Sequence, residues 1–307
     1  MVDILMAVYN GQRYVEEQLQ SILNQTVRDW RLIIQDDASS DDTWEVVQRY
    51  ASRYPKQILA LRRGSNSGSA RCNFFDLMKH AQGEYVMFSD HDDVWLPDKI
   101  EVTLAAMRAK EKENPGAPVL VHTDLTVVDE RLNTVAPSMI QRQKLNPQAV
   151  RFRQLLVQNV VTGCTVMVNK PLLLLAGEDD PDIIMHDWWL ALIAACFGGI
   201  GFVDKATVLY RQHTGNQVGA KDAGSLRYNW NRARNATGAR RALYTTSWQA
   251  EVFVRRFSHR MSPEQLEMAR AYAKIPVLNK WKRLGVLLRY GTWKRGIRLK
   301  VGQVLFI

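Results

Sequence analysis

Apolar residues recur along the chain with two alternating periods. Val2 to Val8 is apolar except for Asp3 and ends in Tyr9-Asn10-Gly11, the pattern of a buried strand followed by a turn. From Gln12 the spacing becomes helical, with Val15, Leu19, Ile22 and Leu23 on one face. The alternation continues with a strand at Trp30 to Ile34, a helix from an Asp41 cap to about Tyr54, a strand at Ile58 to Leu61, a helix over Ala70 to Ala81 and a strand at Tyr85 to Phe88. A helix runs from Pro97 to about Glu113, and Val119 to His122 is a strand. Residues 133–150 are polar, contain Pro137 and Pro147, and read as an irregular loop. Val160 to Val168 reads as a strand interrupted by Thr162-Gly163-Cys164, Met185-His186-Asp187-Trp188-Trp189 opens an apolar helix to about Phe197, and Ala206 to Tyr210 is the last strand. This order predicts an α/β fold on a mostly parallel sheet with helices on both faces.

Composition adds a division. The chain has 307 residues, 46% hydrophobic and 23% charged, which excludes wholesale disorder and fibrous structure. Residues 221–307 hold 19 Lys and Arg against four Asp and Glu, whereas residues 1–220 hold 22 against 27. Two parts are therefore expected: an α/β domain over 1–220 and a basic, helical region over 221–307. Such a region can meet nucleic acid, an anionic membrane or an acidic ligand. Cys72, Cys164 and Cys196 are too scattered for a disulfide framework or a zinc site. The N-terminus has no basic segment before an apolar core, so it is not read as a signal peptide, and no apolar run is long enough to span a bilayer. A cytoplasmic protein is expected.

The candidate chemistry starts at Ser89-Asp90-His91-Asp92-Asp93-Val94-Trp95. Three carboxylates within four residues repel one another, and a hard divalent cation such as Mg²⁺ or Mn²⁺, sharing its shell with substrate phosphates, relieves that repulsion. The motif follows an apolar strand, and strand carboxyl ends are where open α/β sheets bind ligands. The competing reading is an acidic turn that caps the helix after Pro97.

Five segments taken together carry a resemblance: AVYNG, QDDASSDDT, SNSGSARCNF, SDHDDVW, and MHDWW followed by LYRQH. In that order they resemble the inverting nucleotide-sugar glycosyltransferases of family two, which have the GT-A fold. The SDHDDVW and HDWW wording is closest to the bacterial rhamnosyltransferases. The resemblance covers residues 1 to about 216 and leaves the basic region out. It implies that Tyr9, Asn10, Asp36 and Asp37 hold the nucleoside, with Asp41 already occupied as a helix cap. Asn66 and Gly68 lie in a loop small enough for close backbone approach to a ligand, and Arg63 is a candidate phosphate contact or a solvated charge. The resemblance makes Asp92 the metal ligand, with Asp90 nearer the ribose and Asp93 nearer the acceptor or behind the metal. His91 departs from the family wording, which more often has Gln there. His213 matches a late histidine that reaches the metal or diphosphate in some members, or is a structural histidine.

An inverting transfer is a single displacement and needs a base opposite the leaving nucleotide. The resemblance tips Asp187 toward that base, against a helix cap only. His186 would orient Asp187 or the acceptor, and Trp95, Trp188 and Trp189 would stack on sugars or fill the core. The reading implied is transfer of L-rhamnose from dTDP-L-rhamnose to a lipid-linked glycan on the inner face of a bacterial membrane. A UDP-hexose donor is the first alternative. A nucleotidyltransferase would not need the HDWW segment, and a nucleic-acid binder is disfavoured because no recognition module appears and the acidic motifs fall in the net-negative part. In the basic region, Val277, Trp281, Leu284 and Leu288, then Trp293, Ile297, Val301 and Val304, recur at helical spacing beside Lys280, Arg283, Lys294, Arg295 and Arg298. That pattern suits a surface anchor on anionic lipid, or packing on the domain or in a homo-oligomer.

Overall fold

The computed structural model describes residues 1–213 and 236–306. The expected division at 220 and the start of the basic region lie outside the described residues. In chain order the elements are β1 (Val2–Val8), α1 (Val15–Leu23), β2 (Trp30–Asp36), α2 (Thr43–Arg53), β3 (Ile58–Arg62), α3 (Ala70–Met78), β4 (Tyr85–Asp90), β5 (Val94–Trp95) and α4 (Lys99–Glu113). They continue with β6 (Val119–Val128), β7 (Thr134–Ala136), α5 (Met139–Gln143), α6 (Phe152–Leu155), a 3₁₀ turn at Gly163–Thr165, β8 (Val166–Asn169), α7 (Lys170–Ala176), α8 (His186–Phe197) and β9 (Gly199–Arg211). After the gap come α9 (Ala236–Phe257), α10 (Pro263–Ala273), α11 (Lys280–Tyr290) and α12 (Ile297–Phe306).

The strands form one nine-stranded sheet of order β3-β2-β1-β4-β8-β6-β9-β5, with β7 beside β6. β3, β2, β1 and β4 are parallel, β8 runs antiparallel between β4 and β6, and β6 and β9 are parallel. Because side chains alternate across a strand, the sheet sorts its apolar residues into two cores. Leu5, Ala7, Ile33, Val86 and Phe88 face one, while Ile4, Met6, Val8, Leu32, Ile34 and Met87 face the other. Both faces are covered, so β1 is buried throughout and reads as a continuous apolar run. Its one acidic residue, Asp3, is paired by Arg31 at 2.9 Å and by the Gln82 and Gly83 N–H groups.

Register brings the strand ends level. Ala7 pairs with Asp90 and Val8 with Asp36, so the turns after β1, β2 and β4 open on one edge. Val128 pairs with Arg211 at the end of β9. The C-terminal helices share the first core: Val252, Phe253, Phe257, Met268, Tyr272, Ile275 and Leu287 are buried with Trp189, Leu190 and Phe152. The described C-terminal helices thus pack against the α/β domain. Among the described residues no helix is long and apolar enough to cross a membrane.

Several boundaries differ from the periodicity reading. β6 continues through Thr123-Asp124 to Val128 because those polar groups find partners inside: Thr123 bonds Thr207 at 2.7 Å, and Asp124 accepts from the Leu125 N–H and the Ser138 hydroxyl. β9 begins at Gly199, well before Ala206, where the chain passes so close to Pro118 that a Cβ at Gly198 would lie 1.9 Å from its carbonyl oxygen. Residues 133–150 contain β7 and α5, not only loop, and the 160–168 segment is a turn followed by a short strand.

Candidate active site

The acidic loop after β4 is held from behind by the end of β9. Arg211 is 2% exposed, and its contacts converge on that loop. Its backbone N–H donates to Asp93 Oδ1 at 3.2 Å, its Nε to the Asp92 carbonyl at 2.8 Å, its Nη1 to the Glu130 carbonyl at 2.7 Å and its Nη2 to Glu17. Two residues on, His213 Nε2 meets Asp92 Oδ2 at 2.8 Å, with the ring 4.9 Å from that of Tyr14. His91 lies against Gly11, where a Cβ would come within 2.1 Å of the ring, so the β1 turn and the acidic loop are in direct contact.

Asp93 is fully buried, which removes it from direct acceptor contact and places it behind the loop. Burial, followed by repulsion from Asp92 and Asp90, holds its carboxyl well above the usual carboxylate range. Asp90 is pushed up to about 7 by burial, then by the charges of Asp92 and Asp187. Beneath them, Lys99 is 0% exposed, stands 4.7 Å over the Trp95 ring, and is lowered to about 8 by burial, opposed by Cys164 and Asp93. Trp95 is therefore core, 2% exposed, and offers no face to a sugar.

Two groupings could hold a divalent cation. Asp90, Asp93 and Cys164 place ligand-type atoms within 4.8 Å of one another. Cys164 does not suit a hard cation, however, and burial raises its thiol well above the ordinary range, keeping it protonated. Asp92 paired with His213 offers the carboxylate and imidazole types that suit Mg²⁺ or Mn²⁺ beside a diphosphate better. When bound, such an ion supplies positive charge to the leaving diphosphate.

At the end of β2, Asp36 and Asp37 are not free. Asp36 closes its own turn on Ser39 and meets Arg62 Nε at 3.2 Å. Asp37 accepts from the Ser67 N–H at 3.0 Å and hydroxyl at 2.8 Å, and pairs with Arg63 Nε at 3.3 Å. Asn66 Nδ2 donates to the Asp37 carbonyl at 3.1 Å, and Gly68 takes the left-handed conformation (φ 69°) that lets the loop turn there. Asn10 is spent on Ser40, whose N–H it accepts at 2.9 Å, while Tyr9 remains 45% exposed. Asp37, Arg63, Asn66 and Gly68 thus form one cluster, and Tyr9, just after β1, is an exposed aromatic.

Asp187 lies in the first turn of α8, and the cap position is Met185, so capping is not its role. Its Oδ1 accepts from the Trp188 N–H at 2.7 Å and its Oδ2 from Asn159 Nδ2 at 3.3 Å. Burial pushes its carboxyl up to about 6 against those hydrogen bonds. His186 does not orient it. That ring is wedged between Phe74 and Phe88, with centroids 4.0 and 4.9 Å away, and neither nitrogen has a hydrogen-bond partner among the described residues. Burial holds its pKa near 3, so it is neutral. Trp189 is core, packed on Phe253 and Phe257, with Nε1 donating to the Ala176 carbonyl. Trp188 is partly buried and donates to the Leu155 carbonyl at 2.6 Å.

Sequence reading missed Arg211, Lys99 and Asn159. Arg211 stands two residues before the singled-out His213, and Lys99 closely follows the acidic motif, so proximity was the available signal for both. Asn159 gave none.

Comparison with known proteins follows the same lines. Residues 3–173 match the profile described as "Glycosyl transferase family 2". The "dTDP-rhamnosyl transferase RfbG" of Shigella flexneri is 31% identical over 234 residues, covering 73% of this chain and 76% of that protein. The "Putative teichuronic acid biosynthesis glycosyltransferase TuaG" of Bacillus subtilis is 36% identical over 173 residues, covering 55% of this chain and 62% of that one. Among solved structures, S. aureus TarS 1–349 in complex with UDP-GlcNAc superposes with a TM-score of 0.56 at 17% identity, covering 96% of this chain and 93% of that one. The mannosyltransferase PcManGT of Pyrobaculum calidifontis, in complex with GDP-Man and Mn²⁺, gives 0.52 at 17%, covering 99% and 79%. The chain has the GT-A fold and belongs to glycosyl transferase family 2, as an inverting-type glycosyltransferase.

Proposed function

We propose that this glycosyltransferase moves L-rhamnose from dTDP-L-rhamnose to a hydroxyl of a lipid-linked glycan, with Mg²⁺ or Mn²⁺ held by Asp92 and His213 and Asp90 nearer the ribose. The observation that carries the reading is the placement of Asp187, near enough to raise the pKa of Asp90 yet on a different element from the Asp92–His213 pair. Donor and acceptor can then be held on opposite sides of the anomeric carbon. The acceptor oxygen forms the new bond to that carbon, the bond to the diphosphate oxygen breaks and its electron pair leaves with the nucleotide, and the acceptor proton passes to Asp187. Asp37, Arg63, Asn66 and Gly68, together with Tyr9, would hold the nucleoside. Trp188 is the tryptophan best placed for the acceptor. The rhamnosyl relative supports the donor. In a panel of nucleotide sugars, dTDP-L-rhamnose is expected to be consumed fastest; preferential turnover of UDP-galactose or UDP-N-acetylglucosamine would replace it with the UDP-hexose reading.

A lipid-linked acceptor is confined to a membrane, and the C-terminal helices offer a surface for it. Val277, Trp281 and Leu288 are 83%, 80% and 71% exposed, and Val301 and Leu305 on α12 are also exposed. Trp281, Leu284 and Leu288 form one stripe of α11, with exposed Lys280, Lys282 and Arg289 beside it. Leu284 of the first expected stripe and Trp293 of the second pack partly against the core, so each stripe is used in part for packing. A groove of about 520 Å³ between α10 and α11 adds Leu266, Leu278, Val286 and Tyr290, with Arg270 and Lys274 beside them. Apolar side chains enter the headgroup boundary while the cations meet anionic lipid. The full-length protein is expected to float with vesicles containing phosphatidylglycerol, and a Trp281→Glu/Leu288→Glu variant to stay at the bottom of the gradient; equal flotation would refute the surface.

A further inference from the structure

Asn159 lies between α6 and the 3₁₀ turn, and its side chain is fixed on two sides by one residue. Its Oδ1 accepts from the Val161 N–H at 3.0 Å, and its Nδ2 donates to the Val161 carbonyl at 2.8 Å. A backbone N–H can only donate, so the amide oxygen must face it. The amide orientation is thereby determined, and the second N–H of Nδ2 is left for Asp187 Oδ2 at 3.3 Å. Trp188 and Gly163 N–H groups supply the other bonds to that carboxylate. Gly163 approaches so closely that a Cβ there would stand 3.0 Å from His186 Nε2 and 3.6 Å from the Asp187 Cβ. The turn is braced from outside as well: Trp188 Nε1 donates to the Leu155 carbonyl at 2.6 Å, and the Arg295 N–H donates to Gln158 Oε1 at 3.0 Å.

We propose that Asn159 is a positioning residue for the transfer step, fixing the rotamer of the Asp187 carboxylate so that a remaining lone pair faces the acceptor hydroxyl. The inference rests on Asp187 being the base. A carboxylate free to rotate about its side-chain torsions would present that lone pair only part of the time, and general-base catalysis depends on such alignment. The Asn159 bond also favours the ionised carboxylate, acting against burial; Asp90 on β4, the titratable group that interacts with Asp187, is raised to about 7 and is largely protonated where Asp187 titrates. His186, the titratable neighbour on α8, is neutral and contributes no charge.

The test is the pH dependence of kcat in the full chain, supplied with metal, donor and acceptor. The base works ionised, so wild-type turnover is expected to rise with pH through an acid limb at about 6. Asn159→Ala is expected to move that limb upward by about half a unit or more and to lower kcat roughly tenfold, with donor KM unchanged. Asn159→Asp, nearly isosteric and still able to accept from the Val161 N–H, sets a like charge against Asp187 and is expected to move the limb further. Should the alanine variant fail to fold, the aspartate variant decides. An acid limb that stays at the wild-type position in the folded variants, or a kcat loss matched by a rise in donor KM, would overturn the positioning role. If Asp187→Asn is inactive while the Asn159 variants show no shift, only this inference fails; if Asp187→Asn turns over normally, the base assignment fails with it.

Discussion

Asp187→Asn is expected to lose turnover by at least about 10²-fold while keeping donor and metal affinity, the lower end of what a positioned general base supplies. The substitution is nearly isosteric, and Asn can still accept one of the hydrogen bonds offered by Trp188 and Asn159. What it removes is the capacity to take a proton from the acceptor. Asp187 is well suited to lose and regain that proton near neutrality, because burial raises it to about 6 while its hydrogen bonds hold it ionised. Its 8% exposure also means that little water competes for the carboxylate. Single-turnover kinetics with saturating donor separates binding from chemistry; near wild-type turnover would move the base elsewhere, and Asp93, fully buried behind the loop, would be poorly placed to take over.

Asp92→Ala is expected to weaken donor binding and to lower kcat/KM by roughly 10²-fold or more, since the diphosphate leaving group needs several kcal/mol of charge stabilisation. The fold should persist. The loop is carried by main-chain contacts that the substitution leaves in place, from Arg211 Nε to the residue 92 carbonyl and from the Arg211 N–H to Asp93. Chelation of wild-type enzyme should mimic the variant, and added Mg²⁺ or Mn²⁺ should restore the wild type but not the variant. Full turnover after chelation would show that Asp92 serves another purpose, such as anchoring His213.

The first half of the fold was readable because its causes are local. Each of β1, β2 and β4 is an apolar run ending at a polar turn, and parallel pairing of neighbours then brings Asp36 and Asp90 level with Val8 and Ala7. The acidic loop was readable because its three carboxylates in four residues directly follow an apolar strand. Long-range partnerships were not readable. Arg211 reaches Asp93 across 118 positions and Asn159 reaches Asp187 across 28, and neither spacing leaves a periodic trace. Trp95 and Trp189 look the same in sequence whether they stack on a sugar or fill a core. Phe253 and Phe257 on α9 decide it for Trp189, and Lys99 lies over Trp95. The partners of Asp36 and Asp37 were hidden for a similar reason: Arg62, Arg63 and Ser67 come from β3 and the loop beyond it.

Single displacement makes one chemical demand that a double displacement cannot meet, inversion at the anomeric carbon. The anomeric configuration of the transferred sugar, followed by proton NMR as the metal-loaded enzyme consumes dTDP-L-rhamnose in the presence of a lipid-linked acceptor, measures it directly. The expected product carries the sugar with its configuration inverted relative to the donor. Retained configuration would require two displacements through a covalent intermediate, and would contradict the assignment of Asp187 as a base.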